Sequence, residues 1–135
     1  IPVLLGGPDD YEVAARICQE VGGRSINLCG QLKLDQTSAV LKCCDLVVSG
    51  DTGPAHMAVA VGTPVIGLYG PTYPARSGPY GCFENVLDQS ASCRCIGQKF
   101  CQFTGPNEPG ECMGRIMLTE VIEKVNHLLK DCDIQ

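Results

Sequence analysis

The chain has 135 residues, 44% of them hydrophobic and 19% charged, which suits one globular domain with a real core and excludes a disordered segment. A formal net charge of −5 and 5% aromatic residues leave no basic face for nucleic acid, so any phosphate must be held by backbone amides and helix starts. No apolar run approaches the roughly 20 residues of a membrane-spanning helix.

The chain opens at Ile1 in a strand-like run, with no visible signal peptide, and reads as a cut from a longer polypeptide. Val3-Leu4-Leu5, ended by Gly6-Gly7-Pro8, predicts a strand and turn. Asp9 or Asp10 then offers an N-cap to a helix with Val13, Ala14, Ile17 and Val21 on one face, closed by Gly22-Gly23. Ser25–Cys29 predicts a second strand. Asp35 is expected to cap a second helix whose Val40, Leu41 and Cys44 share a face. Residues 45–49 (Asp-Leu-Val-Val-Ser) predict a third strand buried on both faces. A small apolar helix over Gly53–Val61, a strand over Pro64–Tyr69 and a further strand near Glu84–Leu87 follow. A Cys-, Gly- and Pro-rich loop fills 91–114. Leu118, Val121, Ile122, Val125, Leu128 and Leu129 mark a closing amphipathic helix, with His127 on an exposed or partly exposed face. Alternating strands and helices predict an α/β fold with a parallel sheet, read as a single domain over 1–135.

Ligands of such sheets bind beyond the carboxyl ends of the strands. There the sequence puts Ser49-Gly50-Asp51-Thr52-Gly53-Pro54-Ala55-His56, running from strand into helix. Gly50 and Gly53 are expected to allow a sharp turn and close approach of a ligand. The amides of Thr52, Gly53 and Ala55 can face an anion at the positive end of the helix dipole. Asp51 can accept hydrogen bonds from sugar hydroxyls. The plainer alternative is that Asp51 or Thr52 caps the helix and His56 packs against a strand. No dinucleotide-binding or P-loop fingerprint is present.

Ten cysteines are many for this length. Cys18, Cys29, Cys43, Cys44 and Cys132 fall in helix-like or strand-like patterns and read as small hydrophobes. Cys93, Cys95, Cys101 and Cys112 form a separate set, open to three readings: a structural zinc site, two local disulfides, or reduced thiols. All three are structural roles, expected to act apart from the Asp51–His56 segment.

The run Asp51-Thr52-Gly53-Pro54-Ala55-His56-Met57-Ala58, followed by Gly62-Thr63-Pro64-Val65-Ile66-Gly67-Leu68-Tyr69-Gly70-Pro71-Thr72 and Pro74, resembles the signature of glycosyltransferase family 9, the heptosyltransferases. That pattern is D-T-G-x-x-H, then a strand ending Y-G-P-T-x-P. The Val3–Pro8 opening and the Cys93/Cys95/Cys101/Cys112-Met113 run resemble the same family, so the similarity spans essentially the whole chain.

The resemblance implies a two-domain GT-B enzyme, of which this chain is the C-terminal, Rossmann-like, donor-binding half. It implies transfer of a heptose from ADP-heptose to a lipopolysaccharide core acceptor, with inversion, in the bacterial cytoplasm or peripherally at the inner membrane. Asp51 would meet the heptose hydroxyls or the diphosphate region, Thr52 and Gly53 the diphosphate, and His56 would support the same site. Gly30–Leu32 matches where the family holds adenine, so Gly30 and Leu32 are candidates. One of Asp9, Asp10 or Glu12 would reach the ribose. No cofactor is implied beyond an optional structural zinc.

Two family elements have no counterpart here: the N-terminal acceptor domain with its catalytic carboxylate, and the first strand–loop–helix of the donor domain. The chain alone is therefore expected to be inactive. Another nucleotide-sugar enzyme of GT-B-like fold, such as an epimerase, and a non-catalytic nucleotide-binding domain are the alternatives.

Overall fold

The structure, a computed structural model, describes residues 1–98, 101–104 and 110–132. It divides into two compact units, Ile1–Val40 and Leu41–Gln135.

In the first unit, β1 (Val3–Leu4) and β2 (Ile26–Asn27) pair in parallel, Val3 opposite Ile26 and Leu4 opposite Asn27. They are joined through a 3-10 turn at Pro8–Asp10 and α1 (Tyr11–Glu20). Asp10 is the N-cap residue of α1, but its side chain makes no cap bond there. Its Oδ2 instead accepts the Gly7 N–H at 2.8 Å, tying the turn to itself. Of the apolar residues expected on one face of α1, only Ala14 is buried, while Val13, Ile17 and Val21 are exposed. Gly22 and Gly23 end the helix at φ of +74° and +83°, conformations that a side chain disfavours. β2 is shorter than expected because Asn27 turns the chain: its Oδ1 accepts the Cys29 N–H at 3.0 Å.

α2 (Leu34–Lys42) begins one residue before Asp35, which lies inside the first turn and is not the cap. Gln36 Oε1 accepts the Lys33 N–H at 2.9 Å, so Gln36 reaches back to the helix start in its place.

In the second unit, β3 (Val47–Gly50), β4 (Val65–Tyr69) and β5 (Val86–Asp88) form a parallel sheet in the order β3-β4-β5. β4 is central, and Val65, Ile66 and Tyr69 are fully buried along it. β3 is not buried on both faces as expected, since Val48 is 45% exposed. α3 (Gly53–Ala60) packs on β3 and β4 through the small residues Ala55 and Ala58. Thr63, just beyond α3, is buried and donates to the Leu41 carbonyl at 2.8 Å. β5 begins two residues later than expected because Phe83–Asn85 forms a 3-10 turn. A short helix, α4 (Pro74–Ser77), has no periodic signal in the sequence. The closing helix is α5 (Leu118–Cys132).

The chain is thus α/β with parallel strands, but the strands fall into two sheets, β1-β2 and β3-β4-β5. In the doubly wound order 3-2-1-4-5-6, strand 1 pairs with both strand 2 and strand 4. No helix among the described residues is long and apolar enough to cross a membrane.

Candidate functional site

The turn from β3 into α3 carries the second unit's site residues. Thr52 is the N-cap residue of α3 in extended backbone, Gly53 begins the helix, and Pro54 occupies its first turn, where a missing N–H costs nothing. Neither Gly50 nor Gly53 has a positive φ, so the sharp turn expected to require glycine does not require it. A Cβ on Gly53 would meet nothing within 4 Å. Beyond its chain neighbours nothing crowds Gly53, although the following Pro54 disfavours a side chain on a helical residue here, and the helix start opens to solvent.

The capping alternative fails on both counts. Thr52 makes no side-chain cap; its Oγ1 shares a 2.8 Å hydrogen bond with Ser49 Oγ. Asp51 turns away from the helix amides, and its Oδ2 accepts the Ser77 hydroxyl at 2.7 Å. Asp51 Oδ1 stands 3.9 Å from Nε2 of His56, a contact that becomes an ion pair when the imidazole is protonated. His56 is exposed rather than packed against a strand.

Ser77 is the residue that sequence reasoning missed. It lies at the end of α4, and its carbonyl accepts the phenol of buried Tyr69 at 2.9 Å. Burial, and then the Asp51 charge, push the Tyr69 phenol above its usual pKa, keeping it a neutral donor. Tyr69, Ser77, Asp51 and His56 thus form a chain of contacts from β4 to α3. It joins the D-T-G-x-x-H and Y-G-P-T-x-P runs, which are remote in sequence. Thr72 of the second run has a buried Oγ1 with no hydrogen-bond partner among the described residues.

Gly30 and Leu32 lie in the first unit, between β2 and α2, Leu32 half-buried and Gly30 at φ +71°. A Cβ on Gly30 would come within 2.8 Å of Pro8 Cα, so glycine is required there by both conformation and space. Of the three acidic candidates, Asp10 is committed to its turn, while Asp9 and Glu12 are exposed.

The cysteine set is reduced: Cys93, Cys95, Cys101 and Cys112 are free thiols. Among the described residues no group of three or more His, Cys, Asp or Glu side chains is placed to hold a metal ion. The segment is held by other means. Arg94 donates to Glu111 Oε2 through Nη2 at 2.7 Å and Nε at 3.1 Å, and Arg115 donates to Oε1 at 3.0 Å. The Arg94 guanidinium also lies 3.7 Å over the Phe103 ring.

Nor does this segment stand apart from the site. The Gly97 N–H donates to the Pro71 carbonyl at 2.7 Å, and a Cβ on Gly70 would come within 2.7 Å of Cys112 Sγ. The cysteine loop leans on the strand end that leads into α4.

A helix N-terminus at the carboxyl end of a parallel strand is where ligands of α/β sheets are commonly met. The family model for glycosyltransferase family 9 (heptosyltransferase) matches residues 2–103. The lipopolysaccharide core heptosyltransferase OpsX of Haemophilus influenzae is 48% identical over 78 residues, covering 58% of this chain and 22% of that protein. Lipooligosaccharide heptosyltransferase 2 of the same organism is 32% identical over 133 residues, covering 93% of this chain and 37% of that protein. The solved structure of Escherichia coli ADP-heptose lps heptosyltransferase II superposes with a TM-score of 0.71 at 25% identity, over 97% of this chain and 37% of that one. A family 9 glycosyl transferase from Veillonella parvula gives 0.72, over 96% and 36%. The chain belongs to glycosyltransferase family 9. It spans well under half the length of these relatives.

Proposed function

We propose that the full-length protein transfers a heptose from ADP-heptose to a lipopolysaccharide core acceptor, with inversion, and that this chain is its donor-binding part. The observation that carries the reading is the head of α3: a helix start with no side-chain cap at Thr52 and open space at Gly53, beside an Asp51 carboxylate fixed by Ser77. The amides and the helix dipole hold the donor's diphosphate and stabilise the negative charge that grows on it as the glycosidic bond breaks. With Oδ2 engaged by Ser77, Asp51 offers Oδ1 to the sugar hydroxyls, and His56 lines the same site. By resemblance to the family, Gly30 and Leu32 of the first unit are the adenine candidates and Asp9 or Glu12 the ribose candidates, Asp10 being engaged in its own turn. A carboxylate from the acceptor domain of the full protein removes the proton of the attacking hydroxyl. The reaction runs on the cytoplasmic side of the inner membrane, where donor and acceptor meet.

The test is calorimetric titration of the full-length protein with ADP, UDP and GDP, followed by turnover of ADP-heptose on a lipopolysaccharide core acceptor. ADP preference with turnover supports the reading. UDP preference would point to a different nucleotide-sugar enzyme, and no nucleotide binding would leave a non-catalytic domain.

A further inference from the structure

Asp51 and Ser77 meet only if α4 stands in the right place, and α4 has little of its own to hold it there. It is one turn, closed by the Ser77 N–H on the Tyr73 carbonyl at 3.1 Å and the Gly78 N–H on the Pro74 carbonyl at 2.6 Å. A single turn is marginal in isolation, so its placement comes from tertiary contacts. The Ser77 hydroxyl also has a rival acceptor on its own turn, the Tyr73 carbonyl at 3.3 Å. That it faces Asp51, at 2.7 Å, depends on where the end of α4 is set.

A hydrogen bond from the sheet meets that end. Tyr69 is 1% exposed on the central strand, and its phenol donates to the Ser77 carbonyl at 2.9 Å. Its ring lies back along β4 over Gly67, where a Cβ would come 2.8 Å from Tyr69 Cε2 and 3.3 Å from Val86 Cγ2. The missing side chain of Gly67 is the seat of the ring. Ser77 is thus gripped at its carbonyl by the strand while its hydroxyl is presented to Asp51.

We propose that Tyr69 is a positioning residue for donor binding: by holding the Ser77 carbonyl it sets the Ser77 hydroxyl against Asp51 Oδ2, which keeps Oδ1 turned to the donor sugar. The role rests on the reading that Asp51 meets that sugar. Tyr69 touches no substrate and acts through Ser77.

The test is calorimetry of ADP-heptose and ADP on the unsubstituted full-length protein, on Tyr69→Phe, on Ser77→Ala and on the double variant. Phenylalanine keeps the ring in its seat and removes only the hydrogen-bond donor. Tyr69→Phe should weaken ADP-heptose binding about three- to tenfold, as Ser77→Ala should, and leave ADP unchanged. The double variant should bind ADP-heptose no more weakly than Ser77→Ala alone, because without the hydroxyl the phenol has nothing left to position. In a ligand-free crystal structure of Tyr69→Phe, the Ser77 hydroxyl should stand beyond hydrogen-bonding reach of Asp51. A purely structural tyrosine would weaken both ligands alike, or give losses that multiply in the double variant. Either result would overturn the proposal, as would an intact Ser77–Asp51 bond in that structure. Failure of the unsubstituted protein to bind ADP-heptose is a different result: it would overturn the donor reading and this role with it.

Discussion

Ser77 donates its hydroxyl hydrogen to Asp51 across 2.7 Å, although the two residues are 26 positions apart in the chain. The bond fixes one carboxylate oxygen of Asp51 and leaves the other for a ligand. Ser77→Ala should cost about 1–2 kcal/mol of stability, the scale of a hydrogen bond to a charged group. It should also weaken ADP-heptose binding about three- to tenfold by releasing a preorganised acceptor. If Asp51 faces the sugar as proposed, ADP alone should bind as before. Calorimetry with both ligands on the full-length protein checks this. Equal loss for ADP and ADP-heptose would place Asp51 at the diphosphate instead.

Gly53 has open space beyond its Cα and an unexceptional backbone. Gly53→Val should cost about 0.5–3 kcal/mol of stability, because Gly53 is helical and directly precedes Pro54, where a branched Cβ disfavours helical backbone. If the diphosphate sits on this helix start, the same change should weaken ADP binding by about 1–3 kcal/mol while adenosine binds unchanged. Thermal denaturation and paired titrations decide it. A larger loss of stability, or matching losses for both ligands, would show a disturbed fold.

Much of this was readable from local chemistry. Strand–helix alternation and the Gly-Gly and Gly-Thr-Pro turns are written residue by residue, as is the helix start at Gly53-Pro54. The parts that escaped are set by tertiary approach. Nothing in Pro-Ala-Arg-Ser at 74–77 has a period that betrays a helix, and nothing local says that Ser77 will meet Asp51. Asn27 ends β2 through a side-chain bond that a run of apolar residues hides. The cysteine loop looked remote because it is distant in sequence from Asp51. Its contacts with Gly70 and Pro71 are visible only in the fold.

Glu111 is held by two arginines across the cysteine loop. The Arg94 hydrogen bond first, with the Arg94 and Arg115 charges, holds its carboxyl below the ordinary value of 4.5 against the opposing effect of burial. A carboxyl lowered on folding adds stability that is present above its unfolded pKa and lost as pH falls through the folded one. Stability should therefore decline on acidification below about pH 4.5, and Glu111→Gln should flatten that decline. Urea denaturation of both proteins over that range is the check. An unchanged slope would mean that the arginines are spent on solvent rather than on Glu111.

Gly70 tests whether the cysteine loop and the site act together. A Cβ there would come 2.7 Å from Cys112 Sγ and 2.8 Å from Met113 Sδ. The methionine sulfur sits on a flexible side chain that can swing aside. Cys112 is buried on a short one and cannot, so the strand end or the loop must move. Gly70→Ala should cost about 1–3 kcal/mol, as overpacking does. It should also weaken donor binding, because Pro71 leads from Gly70 toward α4 and Ser77. Cys112→Ala removes the clashing sulfur and should by itself cost about 1 kcal/mol for a small cavity. The double variant should then be more stable than the sum of the two losses predicts, by about 0.5–3 kcal/mol, and should recover donor affinity. Strict additivity in both measurements would show that Gly70 and Cys112 do not share a contact, and that the loop and the Asp51 site move independently.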